Sequence, residues 1–173
     1  SSSVQDMYFS DYAVTNETVG IPSEAVKTLA ENDAVESVST TRLSVFMPGA
    51  GDILPFETDL SVQSHETLQL VNVDEAQLQI YAPNLSAQDK QALKDGTGCL
   101  VKNPIAFSYG DTTVQQTDLT VGDTIQLGDR TLPVLGLIDT AITINNDGFT
   151  NGVQLIVNDE IYCSCLLYTS DAA

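Results

Sequence analysis

Two cysteines near the end of the chain are, by type and spacing, the residues best suited to carry chemistry. Cys163 and Cys165 stand two positions apart in "DEIYCSCLLYTSDAA", a spacing that would suit a metal or redox site. The third cysteine, Cys99, heads the apolar run "CLVKNPIAF". It is interpreted as a small buried side chain, with a reactive thiol as the alternative. Because the number of cysteines is odd, they make no disulfide framework.

The single histidine, His65, lies in "SVQSHETLQL". A catalytic triad or dyad needs this base beside a positioned nucleophile, and neither a G-x-S-x-G motif nor a suitably placed cysteine accompanies it. No H-x-x-x-H or C-x-x-C spacing supports a metal centre, although one histidine with scattered carboxylates stays open as an alternative. His65 is therefore predicted to lie on the surface.

The segment "NNDGFTN" invites a calcium interpretation, because Asn145, Asp147 and Gly148 match three positions of an EF-hand loop. The other ligand positions do not fit an EF-hand loop. The first ligand would be Thr143, and the position of the bidentate glutamate is occupied by Gln154. A polar turn between two strands is the favoured interpretation, because Asn, Asp and Gly are turn formers.

Hydrolase chemistry by paired carboxylates is the remaining enzymatic hypothesis. With 24 Asp and Glu, some pair will stand at glycosidase separation by chance, but the chain has no Trp to form a sugar platform. The glycines of "GDTIQLG" flank a strand instead of a turn that enters a helix, so they do not form a phosphate loop. The sequence therefore predicts no catalytic, cofactor-binding or metal-ligating residue, and no enzyme.

The net charge of the chain limits the kinds of molecule that it can bind. The 173 residues carry 24 acidic and six basic side chains, a net charge of -18, while 42% hydrophobic residues indicate a folded globular chain. Such a surface repels phosphate backbones, so nucleic acid is excluded as a partner. Solubility explains this charge. A second explanation is a position on the outer face of a membrane, where the Lys and Arg excess of cytoplasmic loops is absent.

The start of the chain predicts that it is part of a longer protein. The start, "SSSVQDMYF", has no initiator Met and no signal peptide, and no stretch approaches the roughly 20 apolar residues of a membrane span.

The elements indicate an α+β fold with a helix-bearing unit at each end of a β-rich middle. A strand at 4–14, a helix at 22–32 and a strand at 35–47 form a βαβ or split βαβ opening. The middle begins with the turn-rich "MPGAGDILP" at 47–55, a candidate hinge or a plain surface loop. The further predicted elements are the strand "ETLQLVNV", the helix "DEAQLQIYA", the helix "SAQDKQALKDG" capped by Ser86 and Gly96, the hairpin "TIQLGDRTLPVLGLI" turning at Gly128-Asp129, the strand "GVQLIV", and a helix starting after Asn158.

The stretch "DLTVGDTIQLGDRTLPVLGLIDT" at 118–140 resembles the extracytoplasmic domain of FtsX-like and MacB-like ABC transporter permeases. In that family a hydrophobic-x-hydrophobic-Gly-Asp-x-hydrophobic strand forms a hairpin with a Val-x-Gly-hydrophobic strand. The matching positions here are Leu119, Val121, Gly122, Asp123, Ile125, Leu127, Val134, Gly136 and Leu137. The opening helix and the late "GFTNGVQLIVNDEIY" are similar to the family's porter-like unit.

The resemblance implies a discontinuous porter-like βαβ subdomain at 1–54 and 136–164 with an inserted β-rich subdomain at 55–135. It also implies a non-catalytic domain on the extracytoplasmic face of the cell membrane, without a cofactor. Its partners would be flanking membrane spans, a cytoplasmic ABC ATPase and a second permease in a homodimer or heterodimer. The domain would couple ATP-driven motion to substrate export or mechanical signalling. A secreted or surface-anchored binding module is the alternative.

The last nine residues, "CLLYTSDAA" at 165–173, are similar to the translation of a transposon-end adapter used in sequencing libraries. They are expected to be a non-native tail that adds no core, either frayed or continuing the last helix. A natural Cys-x-Cys site is the alternative.

Overall fold

The computed structural model describes residues 23–33, 38–63, 66–114, 117–144 and 152–171. The predicted strand at 4–14, His65 and the "NNDGFTN" segment lie outside these ranges. Within them, no helix has the length and apolar composition needed to cross a bilayer.

Four helices and eight strands make up the described part of the chain. The helices are α1 (Ser23–Glu31), α2 (Glu75–Tyr81), α3 (Ala87–Asp95) and α4 (Asp159–Asp171). The strands are β1 (Thr41–Phe46), β2 (Thr67–Val73), β3 (Cys99–Lys102), β4 (Phe107–Tyr109), β5 (Thr112–Val114), β6 (Thr124–Leu127), β7 (Arg130–Leu137) and β8 (Gly152–Ile156).

Six of the strands form one curled mixed sheet in the order β1-β2-β8-β3-β7-β6. β2 runs parallel to β8 and β3 runs parallel to β7, while the other three pairings are antiparallel. β4 and β5 form a separate antiparallel pair. The predicted α+β class is confirmed at this level.

Capping residues begin and end the helices where the sequence predicts. The Ser86 hydroxyl accepts from the Asp89 N–H at 3.1 Å, and Gly96 ends α3 in the left-handed region at φ 76°. The Asp74 carboxylate accepts from the Gln77 N–H at the start of α2. These local bonds satisfy backbone groups that a helix leaves unpaired at its ends.

Apolar side chains alternate along the central strands and form a core on each face of the sheet. One core contacts α4 and the 54–62 segment, and the other contacts α2 and α3. The first includes Leu68, Leu70, Cys99, Val101, Ile125, Leu127, Leu132, Val134, Val153, Leu155, Val157, Ile161, Tyr162 and Cys165. The second includes Val71, Leu78, Tyr81, Leu93, Leu100, Ile138, Ile144 and Ile156.

The predicted hairpin forms, but it lies in the same sheet as β1 and β8, whereas the sequence predicts it in an inserted subdomain at 55–135 apart from those two strands. β6 and β7 turn at Gly128-Asp129, with Leu127 opposite Arg130 and Gly128 at φ 64°. β7 also pairs with β3, which pairs with β8, so the hairpin is one edge of the main sheet. β2 and β3 both come from the predicted 55–135 insertion, and they lie on either side of β8. Their central place in the sheet accounts for the burial of their side chains on both faces.

The expectation that residues 165–173 contribute nothing to the core is wrong for Cys165, the first of these residues. α4 continues through this segment to Asp171. Cys165 lies in α4, and its side chain is buried in the core on which this helix packs. Leu166 packs against the same core. The apolar positions Ile161, Tyr162, Cys165 and Leu166 follow a helical period, which explains why they share one face.

Candidate functional site

The first turn of α4 is held by the only two arginines of the chain. Arg42 forms an ion pair with Asp159, and Arg130 forms one with Glu160. We call these four residues the arginine clamp. α4 begins here because the Asn158 side chain accepts from the Ile161 N–H at 2.9 Å, leaving the two acids in the positive first turn of the helix.

The two halves of the clamp come from opposite ends of the sheet. Arg42 lies in the edge strand β1, whereas Arg130 opens β7 in the hairpin at the other end. For both to reach consecutive residues of α4, the sheet must curl around this helix. The clamp therefore connects the two ends of the sheet through one helical turn.

Arg42 is also fixed by contacts that do not depend on Asp159. Its Nε and Nη2 donate to the Asn72 Oδ1 at 3.1 and 2.7 Å, and its guanidinium lies 4.9 Å from the Tyr162 ring centroid. Asn72 in turn donates to the Val157 carbonyl at 3.0 Å. Because β1, β2 and α4 are all joined through this side chain, Arg42 is the more strongly held half of the clamp.

Ser44 and Tyr162 form a hydroxyl pair beside Arg42, with their oxygens 2.8 Å apart. Burial raises the pKa of Tyr162, and the Ser44 hydrogen bond and Arg42 oppose that shift. A phenol with a raised pKa stays protonated and cannot act as the base that would activate Ser44. The pair therefore fastens β1 to α4 and does not supply a nucleophile.

A row of polar side chains lies on the face of the sheet that is turned away from α4. The Gln69 amide donates to the Thr67 hydroxyl, and the Gln154 amide donates to the Gln69 carbonyl, both at 2.8 Å. All three side chains are buried, and we call Thr67, Gln69 and Gln154 the amide row. Lys102 is opposite Gln154 in the ladder; burial lowers the pKa of its amine, and Asp139 opposes that shift. The Gln69–Gln154 bond joins β2 to β8 and supports their register.

The thiols fall into two kinds. Burial raises the pKa of Cys99 to about 12 and that of Cys165 to about 11, so both stay protonated near neutral pH. Cys163 is exposed, with its sulfur accepting from an Arg42 N–H at 3.5 Å. The interpretation of Cys99 as a small buried side chain is confirmed. Cys163 and Cys165 differ in exposure, so this short spacing does not present two exposed thiols together.

The candidate hinge at 47–55 is an ordered turn. Residues Pro48–Ala50 form a single 3-10 turn, and Gly51 adopts φ 107°. The Asp52 carboxylate accepts from the Met47 N–H at 2.7 Å, closing the loop. Whether it moves in function stays a prediction.

Sequence analysis missed the clamp and the amide row, since both join residues far apart along the chain. The one available signal for the clamp was that the chain has only two arginines and an Asp-Glu pair at a helix start. In the described ranges, no group of three or more His, Cys, Asp or Glu side chains is arranged to hold a metal ion.

No family model, no curated protein and no solved structure matches this chain.

Proposed function

We propose that the chain is the extracytoplasmic domain of an FtsX-like, MacB-like ABC transporter permease. In this proposal the domain performs no catalysis itself. It transmits motion between ATP-driven membrane spans and the space outside the cell, for export or for mechanical signalling. Its partners are the flanking spans, a cytoplasmic ABC ATPase and a second permease subunit.

The observation that carries the proposal is the Gly-Asp hairpin. Gly122 adopts φ 94°, a conformation that side chains other than glycine rarely take. The Asp123 carboxylate accepts from the Thr120 N–H at 3.0 Å, and Ile125 is fully buried. A Cβ at Gly136 would lie 3.3–3.4 Å from Leu85 and Leu100 side-chain atoms, so this glycine lets β7 pack closely. Gly122, Asp123, Ile125 and Gly136 thus each have a physical role in the hairpin, whereas Val121 and Leu137 of the same pattern are exposed.

The arginine clamp supports the mechanical part of the proposal. A domain that transmits motion needs an element joined to both ends of its sheet, and the first turn of α4 is joined to both by ion pairs. The net charge of -18 supports a position away from anionic cytoplasmic surfaces.

The proposal is tested in the full-length protein that contains this chain, expressed in its native membrane. We expect it to sediment with membranes and to co-purify with an ATPase. Changing both Arg42 and Arg130 to Met should leave ATP hydrolysis in place while reducing the coupled output. Lys27→Met on exposed α1 removes a positive charge elsewhere and should leave both unchanged. A soluble full-length protein without an ATPase partner would contradict the proposal.

A binding module, secreted or anchored at the surface, is the second candidate, and exposed apolar side chains favour it. Ile53 is 93% exposed, and Val45 and Met47 are also exposed near the same turn. Exposed apolar side chains gathered in one place are typical of contact surfaces. Ile53→Ser should abolish partner capture by such a module, whereas the transmission role predicts no loss of ATPase association.

A further inference from the structure

Glu66 is a carboxylate without exposure to solvent at the start of β2. Its exposed fraction is 0%, and among the residues that the structure describes its Oε1 has no hydrogen-bond partner. Its Oε2 accepts two long hydrogen bonds, from the Gln63 N–H at 3.3 Å and from the Thr117 hydroxyl at 3.4 Å. The Thr117 hydroxyl also donates to the Ser61 carbonyl at 3.0 Å.

No basic side chain of Lys or Arg compensates this carboxylate. All six such residues of the chain lie in the described ranges, and the two ion pairs found there use other acids. An ionised carboxylate removed from water without a partner is strongly destabilising. A cation bound from outside the chain would compensate the charge of this carboxylate.

The groups around Glu66 are oxygen atoms of the kind that hard cations bind. They are a carboxylate, the Thr117 hydroxyl and the Ser61 carbonyl, with 3.0–3.4 Å between the hydroxyl oxygen and each of the other two groups. Ca²⁺ accepts such mixed oxygen ligands in flexible geometry and keeps water as further ligands, whereas Mg²⁺ demands a regular octahedron. Ser61, which supplies the carbonyl, is an exposed residue.

We propose that Glu66, with the Thr117 hydroxyl and the Ser61 carbonyl, binds one Ca²⁺ ion. With a single carboxylate the site is weak, with a dissociation constant on the order of 1 mM, as in extracellular calcium modules. This proposal does not depend on the permease function.

The test is the melting temperature of the purified chain in calcium chloride from zero to about 10 mM, at near-neutral pH and constant ionic strength maintained with potassium chloride. We expect a saturable rise of about 2–5 °C for the unaltered chain. Glu66→Gln should remove the calcium-dependent rise. Glu57→Gln, an exposed acid in the neighbouring segment, should retain it.

A chain whose melting temperature does not respond to calcium would overturn the proposal, as would an equal rise in Glu66→Gln. Thr117→Val provides a second variant if Glu66→Gln does not fold. It removes one oxygen ligand while keeping the side-chain shape, so the half-saturating calcium concentration should rise several-fold. An unchanged half-saturation in Thr117→Val would also contradict the site, because the hydroxyl would then be no ligand.

Discussion

Breaking the buried amide row should destabilise the fold in a way that depends on which partners remain. Gln154 donates to Gln69, which donates to Thr67, and all three are buried. Gln154→Met keeps the side-chain length but leaves the Gln69 carbonyl without this donor. Gln69→Met removes both bonds at once. We therefore expect each single change to lower stability and the double change to cost less than the sum.

The magnitude follows from burial. A buried polar group that loses its partner costs about 1–3 kcal/mol, so each single variant should lose about 2–12 °C in melting temperature at this chain length. In the double variant the Gln69–Gln154 bond is lost only once, so the coupling energy should be about 1–2 kcal/mol. Gln88→Met on the exposed face of α3 should have an effect near zero.

Urea unfolding of the four chains of the cycle, with Gln88→Met as control, measures these free energies. Single-variant losses below about 0.5 kcal/mol, or losses that add within about 0.3 kcal/mol, would refute the reasoning. The two amides would then contribute nothing as a pair, and the register of β2 and β8 would depend on apolar packing alone.

Three further predictions concern close packing, the end of α4 and the buried thiols. Gly152→Ala should cost about 3 kcal/mol or more by thermal unfolding, because the added Cβ would lie 2.0 Å from the Thr67 carbonyl oxygen; a loss below about 1 kcal/mol would contradict this. Removing residues 165–173 should cost about 1–3 kcal/mol, since Cys165 and Leu166 leave the core; an unchanged melting temperature would contradict it. The folded chain should lose stability as pH rises above about 9, because the Cys99 thiol ionises in the unfolded chain but has a pKa of about 12 in the folded one. Replacing Cys99 with Ala should reduce this loss of stability at alkaline pH. An unchanged loss in that variant would contradict the prediction.

Local features of the fold could be predicted from the sequence because a few neighbouring residues determine them. The Ser86 cap and the Gly96 stop set the ends of α3, and the Gly128-Asp129 turn sets the hairpin. Cys165 could also have been placed in the core, since it follows Ile161 by four residues on one face of α4.

The arrangement of the sheet could not be predicted in the same way. β2 pairs with β8 across 85 residues, from Leu68 opposite Val153 to Leu70 opposite Leu155, and an apolar alternation does not specify its partner. The clamp depends on this long-range arrangement, since Arg42 lies 117 residues before Asp159. Only the curled sheet brings the two residues together.

The most direct measurement of the central proposal uses the one exposed thiol among the three cysteines. Cys163 is exposed, whereas Cys99 and Cys165 are buried, so a membrane-impermeant maleimide should react at Cys163 in the folded domain. In intact cells that carry the full-length protein in the membrane fraction, Cys163 should be labelled, and Cys163→Ser should remove the label at this position. If labelling required permeabilised cells, the domain would face the cytoplasm, and an extracytoplasmic permease domain would be contradicted.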